Sequence, residues 1–424
     1  MFNKKNIKIK KQLKQYCKPS REDVTWCGSV ERLIWGGLGL GRAKDGKAIL
    51  LSAPLALFPG EEVEALVHSK SRHSEGQVTL WRKSDPRRVK SGCLFADICG
   101  GCSLWEAGLL TGMLKRQMVA DLLSRQLPMP QSWRWLEAPE SARRYRIQLH
   151  WDGAKLGFYR RNSYSIVPVQ ECPAATDLIS QAIPRLREAL EARILSQKPQ
   201  RWELVAGTSA NQVCAVAENG AVCKLEPNGW HSYNGPIQHN FGTVTISHQS
   251  GGFFQVCPTW AWSAFGSIFR DWELPVGTLF DLYAGVGFFS ALIGDRFKKL
   301  VLVEENELAI NWARCNMKTL GLEAVCLAVD VGQWIEPAMG SPEDLILLDP
   351  PRSGLTKEIC IKLQTACANS LVLVGCDGAV FCRDLQRLGP VWQISDLVAI
   401  DLFPMTHHVE FIALLHKNNP VLLR

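Results

Sequence analysis

Apolar residues follow three different spacings along the chain, and each spacing predicts a different architecture. Residues 22–84 contain short apolar segments separated by glycine turns, namely 30–34, 48–51, 63–67 and 77–81. Short segments of this kind, bounded by turn residues, are typical of β-strands. The first domain is therefore predicted to be a small β-barrel over residues 22–84.

The middle of the chain, residues 85–243, combines one helical pattern with further strand signals. Leucine and methionine recur at helical spacing over 105–127, which predicts an amphipathic helix, and we expect this helix to pack on the carboxyl-terminal domain. Asp152-Gly153 and Asn219-Gly220 each separate two apolar segments, and such dipeptides favour two-residue hairpin turns. The region is predicted to be a β-rich central domain.

From residue 244 onward, continuous apolar segments alternate with helical ones. The apolar segments are 278–282, 300–303, 345–348 and 371–374. Strands that are apolar on both faces are typical of a parallel sheet covered by helices on each side. We therefore predict a multidomain α/β protein in which residues 244–424 form a doubly wound, Rossmann-like domain.

Composition and charge narrow the class of protein. The 424 residues are 46% hydrophobic and 21% charged, as in ordinary globular domains. No apolar run approaches the roughly 20 residues that span a bilayer, and the start lacks a secretory leader, so we expect a cytoplasmic protein without a membrane span. No obligate protein partner is evident. Six lysines within the first 14 residues make 1–21 a basic tail, which either binds phosphate groups or is only a solvated terminus.

Acidic residues stand at the ends of the predicted strands of the last domain. They are Asp281, Glu304, Asp330 and Asp349. Gly285 and Gly287 follow the first of these strands, where glycines let the backbone approach a ligand, and a carboxylate about 20 residues on can bind ribose hydroxyls. This set favours S-adenosylmethionine over a dinucleotide, although Asp330 could equally cap a helix.

Cys376 follows the apolar strand 371–374, so its thiol would lie at the same edge of the sheet. Carbon 5 of a uracil is too weak a nucleophile to take a methyl group from a sulfonium, but a thiolate that adds to carbon 6 activates it. A base must then remove the carbon-5 proton, and Glu410 is the candidate. Taken alone, Cys376 could also be an inert buried thiol, and Glu410 an exposed strand residue.

A cluster of cysteines stands apart from this chemistry. Cys93, Cys99 and Cys102 fall within ten residues as Cys-x5-Cys-Gly-Gly-Cys, in a chain with 15 cysteines. Thiolates at this spacing suit an iron–sulfur cluster or a zinc ion. A fourth ligand is needed, and Cys172 is the candidate.

Five segments resemble the RNA uracil-5 methyltransferase family, in that family's order. They are Gly252–Val256, Asp281–Gly287, Asp349–Gly354, Cys376 followed by Arg383–Leu385, and Phe403–Glu410. The resemblance implies that Cys376 is the nucleophile and Glu410 the base. It also implies that Gln255, Tyr283, Glu304 and Asp349 line the pocket for S-adenosylmethionine and the target base.

This chain departs from the family pattern at a few positions. The family usually has Ser-Cys-Asn-Pro where this chain has Gly375-Cys376-Asp377-Gly378, an asparagine in place of Cys257, and often a polar residue in place of Phe288. The nucleophile and the base are retained. The differences therefore concern the shape of the pocket rather than the class of reaction.

Two further features are similar to the family members that act on ribosomal RNA. Residues 35–42 and 58–63 resemble the TRAM domain, a small RNA-binding barrel, and the cysteine arrangement resembles that of members holding a [4Fe–4S] cluster. The resemblance implies methylation of carbon 5 of one uridine in 23S ribosomal RNA through a covalent cysteine–uracil adduct. The alternatives are a transfer RNA uracil-5 methyltransferase, an amino-methyltransferase, or a non-catalytic RNA-binding protein with a cluster, and zinc is the alternative metal.

Overall fold

The computed structural model describes residues 24–90, 92–128, 132–196, 198–209 and 212–418. The predicted basic tail lies outside these ranges. The chain divides into two compact units, the first comprising residues up to Leu122 with Arg160–Ser163 and Met405–His407, and the second comprising the rest. Within the described ranges, no helix combines the length and the apolar character that crossing a membrane would require.

The first unit is built on a six-stranded sheet. Its strands are β1 (Val24–Ser29), β2 (Arg32–Ile34), β3 (Leu38–Arg42), β4 (Ala48–Ser52), β5 (Glu62–Ser69) and β6 (Ser74–Lys83), in the order β1-β5-β6-β4-β3-β2. All neighbours are antiparallel except β4 and β6. The Trp26 indole of β1 donates a hydrogen bond to the Arg42 carbonyl at the end of β3, 3.0 Å away. This bond joins the two sides of the sheet.

The helix predicted over 105–127 divides into two parts. A 3₁₀ turn (Trp105–Leu110) leads into α1 (Thr111–Gln126), and Gly108 adopts φ +52° at the break. Leu104, Ala107 and Leu114 pack in the core of the six-stranded sheet. At the other end of the helix, the Gln386 side chain donates to the Gln126 carbonyl. We expected the whole helix to pack on the carboxyl-terminal domain. For residues 104–114 this expectation is wrong, because their apolar side chains are buried against the six-stranded sheet.

The second unit begins with β7 (Arg134–Leu136) and a seven-stranded antiparallel sheet. The strands of that sheet are β8 (Arg146–Trp151), β9 (Leu156–Tyr159), β10 (Ile166–Pro168), β11 (Gln200–Ala206), β12 (Val213–Ala217), β13 (Val222–Glu226) and β14 (Gly229–Ser232), in the order β10-β9-β8-β11-β12-β13-β14. Helix α2 (Asp177–Glu191) buries Ile179, Ile183 and Leu186. A separate hairpin follows, with β15 (Pro236–Phe241) and β16 (Val244–Gln249).

The remainder of the second unit is an eight-stranded sheet with helices between its strands. In chain order the elements are α3 (Pro258–Asp271), β17 (Thr278–Leu282), α4 (Phe288–Ile293), β18 (Lys299–Glu304), α5 (Glu307–Thr319), β19 (Ala324–Ala328), α6 (Val331–Trp334), β20 (Leu345–Leu348), α7 (Lys357–Thr365), β21 (Ser370–Gly375), α8 (Gly378–Leu388), β22 (Trp392–Ile400) and β23 (Glu410–Lys417). The strand order is β19-β18-β17-β20-β21-β23-β22-β7. The five neighbouring strands β19, β18, β17, β20 and β21 are all parallel. A parallel arrangement was predicted for β17, β18, β20 and β21.

The last strand gives this sheet a feature that the apolar pattern did not predict. β23 lies between β21 and β22 and runs antiparallel to both. It can occupy this interior position because residues 410–415 are all buried. Its amino-terminal end consequently lies at the same edge of the sheet as the carboxyl end of β21.

Candidate active site

Cys376 and Glu410 lie opposite each other at this edge of the sheet. Gly375, the last residue of β21, pairs with Phe411 of β23 in antiparallel register. Cys376 directly follows Gly375, Glu410 directly precedes Phe411, and the two side chains are close enough for the carboxyl to act on the thiol. Cys376 is half-buried and Glu410 is 7% exposed. The structure therefore brings together two side chains that are 34 residues apart in sequence (410 minus 376).

The surroundings of Cys376 oppose ionisation of its thiol, with one exception. Burial, together with the nearby Glu410 and Asp349 carboxyls, raises the pKa of Cys376 to about 11. Arg352 acts in the other direction, because its guanidinium hydrogen-bonds to the thiol and attracts the negative charge of a thiolate. Arg352 is thus the group that favours the reactive form of Cys376.

Glu410 also holds a proton more tightly than an exposed glutamate does. Burial raises the pKa of Glu410 well above its ordinary value, the charge of Asp349 adds to the effect, and Arg352 opposes it. A carboxyl whose pKa is raised in this way can act as a general acid or base. Beside these residues is a pocket that is partly open to solvent, and Pro351, Arg352, Cys376 and Asp377 are among the residues that line it.

The turn after β17 has a backbone suited to close approach of a ligand. Tyr283 has φ +63°, an uncommon value for a non-glycine residue, and Gly285 and Gly287 have φ +54° and +81°. Glu304 holds this turn, since one carboxylate oxygen accepts from the Gly285 N–H at 3.0 Å and the other accepts from Asn306 N–H at 2.8 Å. Burial raises the pKa of the Tyr283 hydroxyl.

Asp281 and Asp349 are two buried carboxyl groups close to each other near this turn. Asp281 Oδ2 accepts hydrogen bonds from the Ser290 N–H and hydroxyl, at 3.1 and 2.6 Å, but no donor among the described residues reaches its buried Oδ1. Burial raises the pKa of Asp281 to about 6 and also raises the pKa of Asp349, which is close enough for Asp281 to repel it. A positively charged ligand would relieve both effects. These residues therefore fit S-adenosylmethionine, a cation.

The other predicted cofactor residues have different surroundings. Asp330 caps α6, and its Oδ1 accepts from the Gln333 N–H at 2.9 Å, which is the alternative that the sequence left open. Gln255 follows the buried Phe254 in the segment between β16 and α3. Sequence reasoning assigned no role to Arg352, although the motif Asp349–Gly354 contains it.

The predicted cluster ligands are divided between the two units. Cys93, Cys99 and Cys102 belong to the first unit, and Cys172 belongs to the second. Cys99 Sγ accepts a hydrogen bond from the Gly101 N–H at 3.4 Å, so the loop does bring a backbone amide to sulfur. Across the described ranges, however, no three cysteine, histidine or acidic residues are grouped as a metal site requires. The thiols suit a cluster chemically, and the assignment of these four ligands stays a prediction.

Comparison with known proteins places this site in a family. Residues 342–418, which include Asp349, Cys376 and Glu410, match the family described as tRNA (Uracil-5-)-methyltransferase. An uncharacterized RNA methyltransferase of Thermotoga maritima is 25% identical over 92% of this chain and 98% of its own length. A 23S rRNA (uracil(1939)-C(5))-methyltransferase of Chromohalobacter salexigens is 26% identical over 94% of this chain and 91% of its own. The chain belongs to the tRNA/rRNA uracil-5-methyltransferase family.

Further relatives of this RNA uracil-5 methyltransferase act on transfer RNA by name. The tRNA (uracil(54)-C(5))-methyltransferase of Pyrococcus horikoshii is 28% identical over 84% of this chain and 93% of its own. The fold is also that of the Pyrococcus abyssi tRNA (uracil-54, C5)-methyltransferase, solved with S-adenosyl-L-homocysteine, at TM-score 0.71 and 23% identity over 92% of this chain and 100% of that one. The family's reaction class is transfer of a methyl group from S-adenosylmethionine to carbon 5 of a uracil in RNA. The amino-methyltransferase and non-catalytic alternatives are thereby set aside.

Proposed function

We propose that this enzyme methylates carbon 5 of one uridine in 23S ribosomal RNA, with Cys376 as the nucleophile and Glu410 as the base. The observation that supports the proposal is the pairing of Gly375 with Phe411, which brings the adjoining Cys376 and Glu410 to one edge of the sheet, where Arg352 acts on both. A thiol and a carboxyl that face each other across one gap can act on neighbouring carbons of a single pyrimidine ring. Gln255, Tyr283, Glu304 and Asp349 are proposed to line the pocket for the cofactor and the base.

The proposed reaction uses each of these groups once. Arg352 lowers the pKa of Cys376, so that the thiolate can add to carbon 6 of the uracil and the displaced electron pair moves toward carbon 5. S-adenosylmethionine, when bound, supplies an electrophilic methyl group to that carbon. Glu410 then accepts the carbon-5 proton, the ring double bond re-forms, and the bond from carbon 6 to sulfur breaks to release the thiolate.

Ribosomal RNA is proposed as the substrate on three grounds. The Chromohalobacter relative with that named substrate aligns with 94% of this chain. The first unit contains a six-stranded sheet where the sequence resembles an RNA-binding barrel, and the amino terminus is basic. Mapping 5-methyluridine in 23S ribosomal and transfer RNA from cells lacking the gene tests this choice. Loss of the modification from transfer RNA alone would contradict it.

RNA that carries 5-fluorouridine tests the proposed chemistry. Fluorine at carbon 5 cannot leave as a proton does, so the enzyme should stay covalently attached to the RNA in the presence of S-adenosylmethionine. The Cys376→Ser variant should form no such complex, and Cys367→Ser, which changes an exposed cysteine, is the matched control. A complex that still forms with Cys376→Ser would refute the assigned nucleophile.

We also propose that Cys93, Cys99, Cys102 and Cys172 bind a [4Fe–4S] cluster, on the strength of their spacing and of the amide that reaches Cys99 Sγ. No reaction step depends on it. Iron and acid-labile sulfide should be present in protein purified without oxygen, at about four of each per chain. Stoichiometric zinc with no iron would identify the alternative metal instead.

A further inference from the structure

Helix α8 begins just after the proposed nucleophile, and a capping residue next to Cys376 stabilises its first turn. Asp377 caps the helix, and its Oδ1 accepts from the N–H groups of Ala379 and Val380, each at 3.1 Å. Cys376 is therefore fixed at the end of a rigid element. About two turns further along the same helix lies Asp384, a carboxylate that is only 1% exposed.

Asp384 is bonded to the loop that carries Arg352. Its Oδ2 accepts from the Leu355 N–H at 2.8 Å, and its Oδ1 accepts from Nε and Nη2 of Arg383 at 2.9 and 2.7 Å. Arg383 Nη2 also donates to the Ser353 carbonyl at 2.7 Å, and Arg387 Nη1 donates to the Leu355 carbonyl at 2.9 Å. Side chains on one side of α8 thus bind both an N–H group and carbonyl groups of the loop 351–355.

Gly354 lets this contact be as close as it is. The residue has φ +72°, and a Cβ built there would lie 2.2 Å from Asp384 Oδ2 and 2.4 Å from Val380 Cγ1. No side chain can occupy that space without moving the loop away from the helix. The glycine and the carboxylate therefore form two sides of one contact, which we call the Asp384 clamp.

We propose that Asp384 is a positioning residue for the Arg352–Cys376 pair, because the clamp fixes the loop that carries the guanidinium to the helix that carries the thiol. Arg352 and Cys376 line one pocket, and the charged groups that act on the thiol are Arg352, Glu410 and Asp349. Of these, Arg352 alone favours the thiolate, so its distance from sulfur matters most. The inference deepens the proposed function, since it concerns activation of the assigned nucleophile.

The test is the pH dependence of alkylation of Cys376 by iodoacetamide, followed by mass mapping of the peptide that contains it. No RNA is required, so the result stands whether or not the proposed function holds. The Asp384→Asn variant should shift the midpoint of the profile upward by about one pH unit, which slows alkylation roughly tenfold at a fixed pH below the midpoint. Gly354→Ala should do the same, because its Cβ separates the loop from the helix.

A double variant distinguishes positioning from general destabilisation. After Arg352→Ala, which should itself raise the midpoint, adding Asp384→Asn should cause no further shift. Thr356→Ala is the matched control, since it removes the cap of α7 just after the loop but leaves the clamp intact. That control should lower the melting temperature without moving the midpoint.

Three results would overturn the inference. Asp384→Asn could lower the melting temperature and leave the midpoint unchanged, which would make its role merely structural. Arg352→Ala could leave the midpoint unchanged, which would remove the pair that the clamp is said to position. Asp384→Asn and Arg352→Ala could shift the midpoint additively, which would mean that Asp384 acts independently of Arg352. If Asp384→Asn does not fold, Gly354→Ala decides between the first result and the expected one.

Discussion

The edge formed by β21 and β23 and the cysteine loop 93–102 contrast in how the chain brings reactive groups together. At the edge, Cys376 and Glu410 are distant in sequence, yet the pairing of β21 with β23 brings them close enough to interact. In the loop, three cysteines are within ten residues of each other, yet they do not form a metal-binding group among the described residues.

The difference arises from what holds each region. β23 pairs with neighbours on both sides, and a paired strand has a single register in which its apolar residues are buried. The loop consists of turns, with bonds such as Cys99 N–H to the Phe95 carbonyl at 2.7 Å and an isolated bridge between Cys99 and Arg160. Regular pairing specifies where a side chain lies, whereas closeness in sequence only limits how far apart side chains can be.

The largest effect is expected from removing the thiol at the strand edge, which tests whether that edge supplies the nucleophile. Cys376→Ala should reduce methylation at least about 10³-fold, because carbon 5 of the uracil is then not activated. Transfer of tritium from methyl-labelled S-adenosylmethionine to RNA measures the rate. The affinity for S-adenosylmethionine, measured by calorimetry, should be unchanged. Methylation within tenfold of the wild-type rate would show that the edge does not supply the nucleophile.

Removing the carboxylate should separate the two halves of the reaction. Glu410→Gln is nearly the same size but cannot accept the carbon-5 proton, so turnover should fall about 10²- to 10³-fold. Because addition and methyl transfer precede that step, a covalent complex should accumulate with ordinary uridine RNA and be visible on a denaturing gel. A slow variant that accumulates no complex would place Glu410 earlier in the reaction or outside it.

The two carboxyls under the glycine turn should reveal the charge of the cofactor. The pKa of Asp281 is raised to about 6, so this group is partly protonated at pH 6 and ionised at pH 8. A bound cation favours the ionised form and lowers the pKa, so S-adenosylmethionine should release protons at pH 6 and few at pH 8. Calorimetry in buffers of different ionisation enthalpy counts them. S-adenosylhomocysteine lacks the sulfonium charge, so its binding should release fewer protons. Equal proton release by both ligands would show that the sulfonium charge does not cause the release.

Much of this edge could be predicted from the sequence. The parallel strands were evident because they are continuous apolar runs, such as residues 345–348, and their ends marked Asp281, Asp349 and Cys376. The need for a base indicated Glu410, and the resemblance implied the same role for it. The pairing that brings Glu410 to Cys376 was not predictable from periodicity, since an apolar strand at the end of the chain could have added at the outside of the sheet.

The parts that sequence could not supply depend on long-range contacts. Glu304 bonds to the Gly285 N–H from 19 residues away, and Asp384 bonds to the Leu355 N–H from 29 residues away. Neither contact has a local signal, because an acidic residue at a strand end or inside a helix serves many purposes. Helix 105–127 is a similar case, since its apolar spacing showed that one face is buried but not which sheet buries it.

A substitution in the cysteine loop should have the smallest effect on the rate of methylation. It would therefore distinguish this loop from the strand edge, where substitutions should have large effects. Cys99→Ser should leave the kcat for a short RNA substrate within about threefold, because residue 99 contributes no group to the proposed reaction. It should nevertheless abolish bound iron in protein purified without oxygen and lower the melting temperature, since Cys99 supplies one of the proposed thiolate ligands. Cys27→Ser, at an exposed position, is the control. A hundredfold loss of kcat in folded Cys99→Ser protein would mean that the loop, like the strand edge, is part of the catalytic machinery.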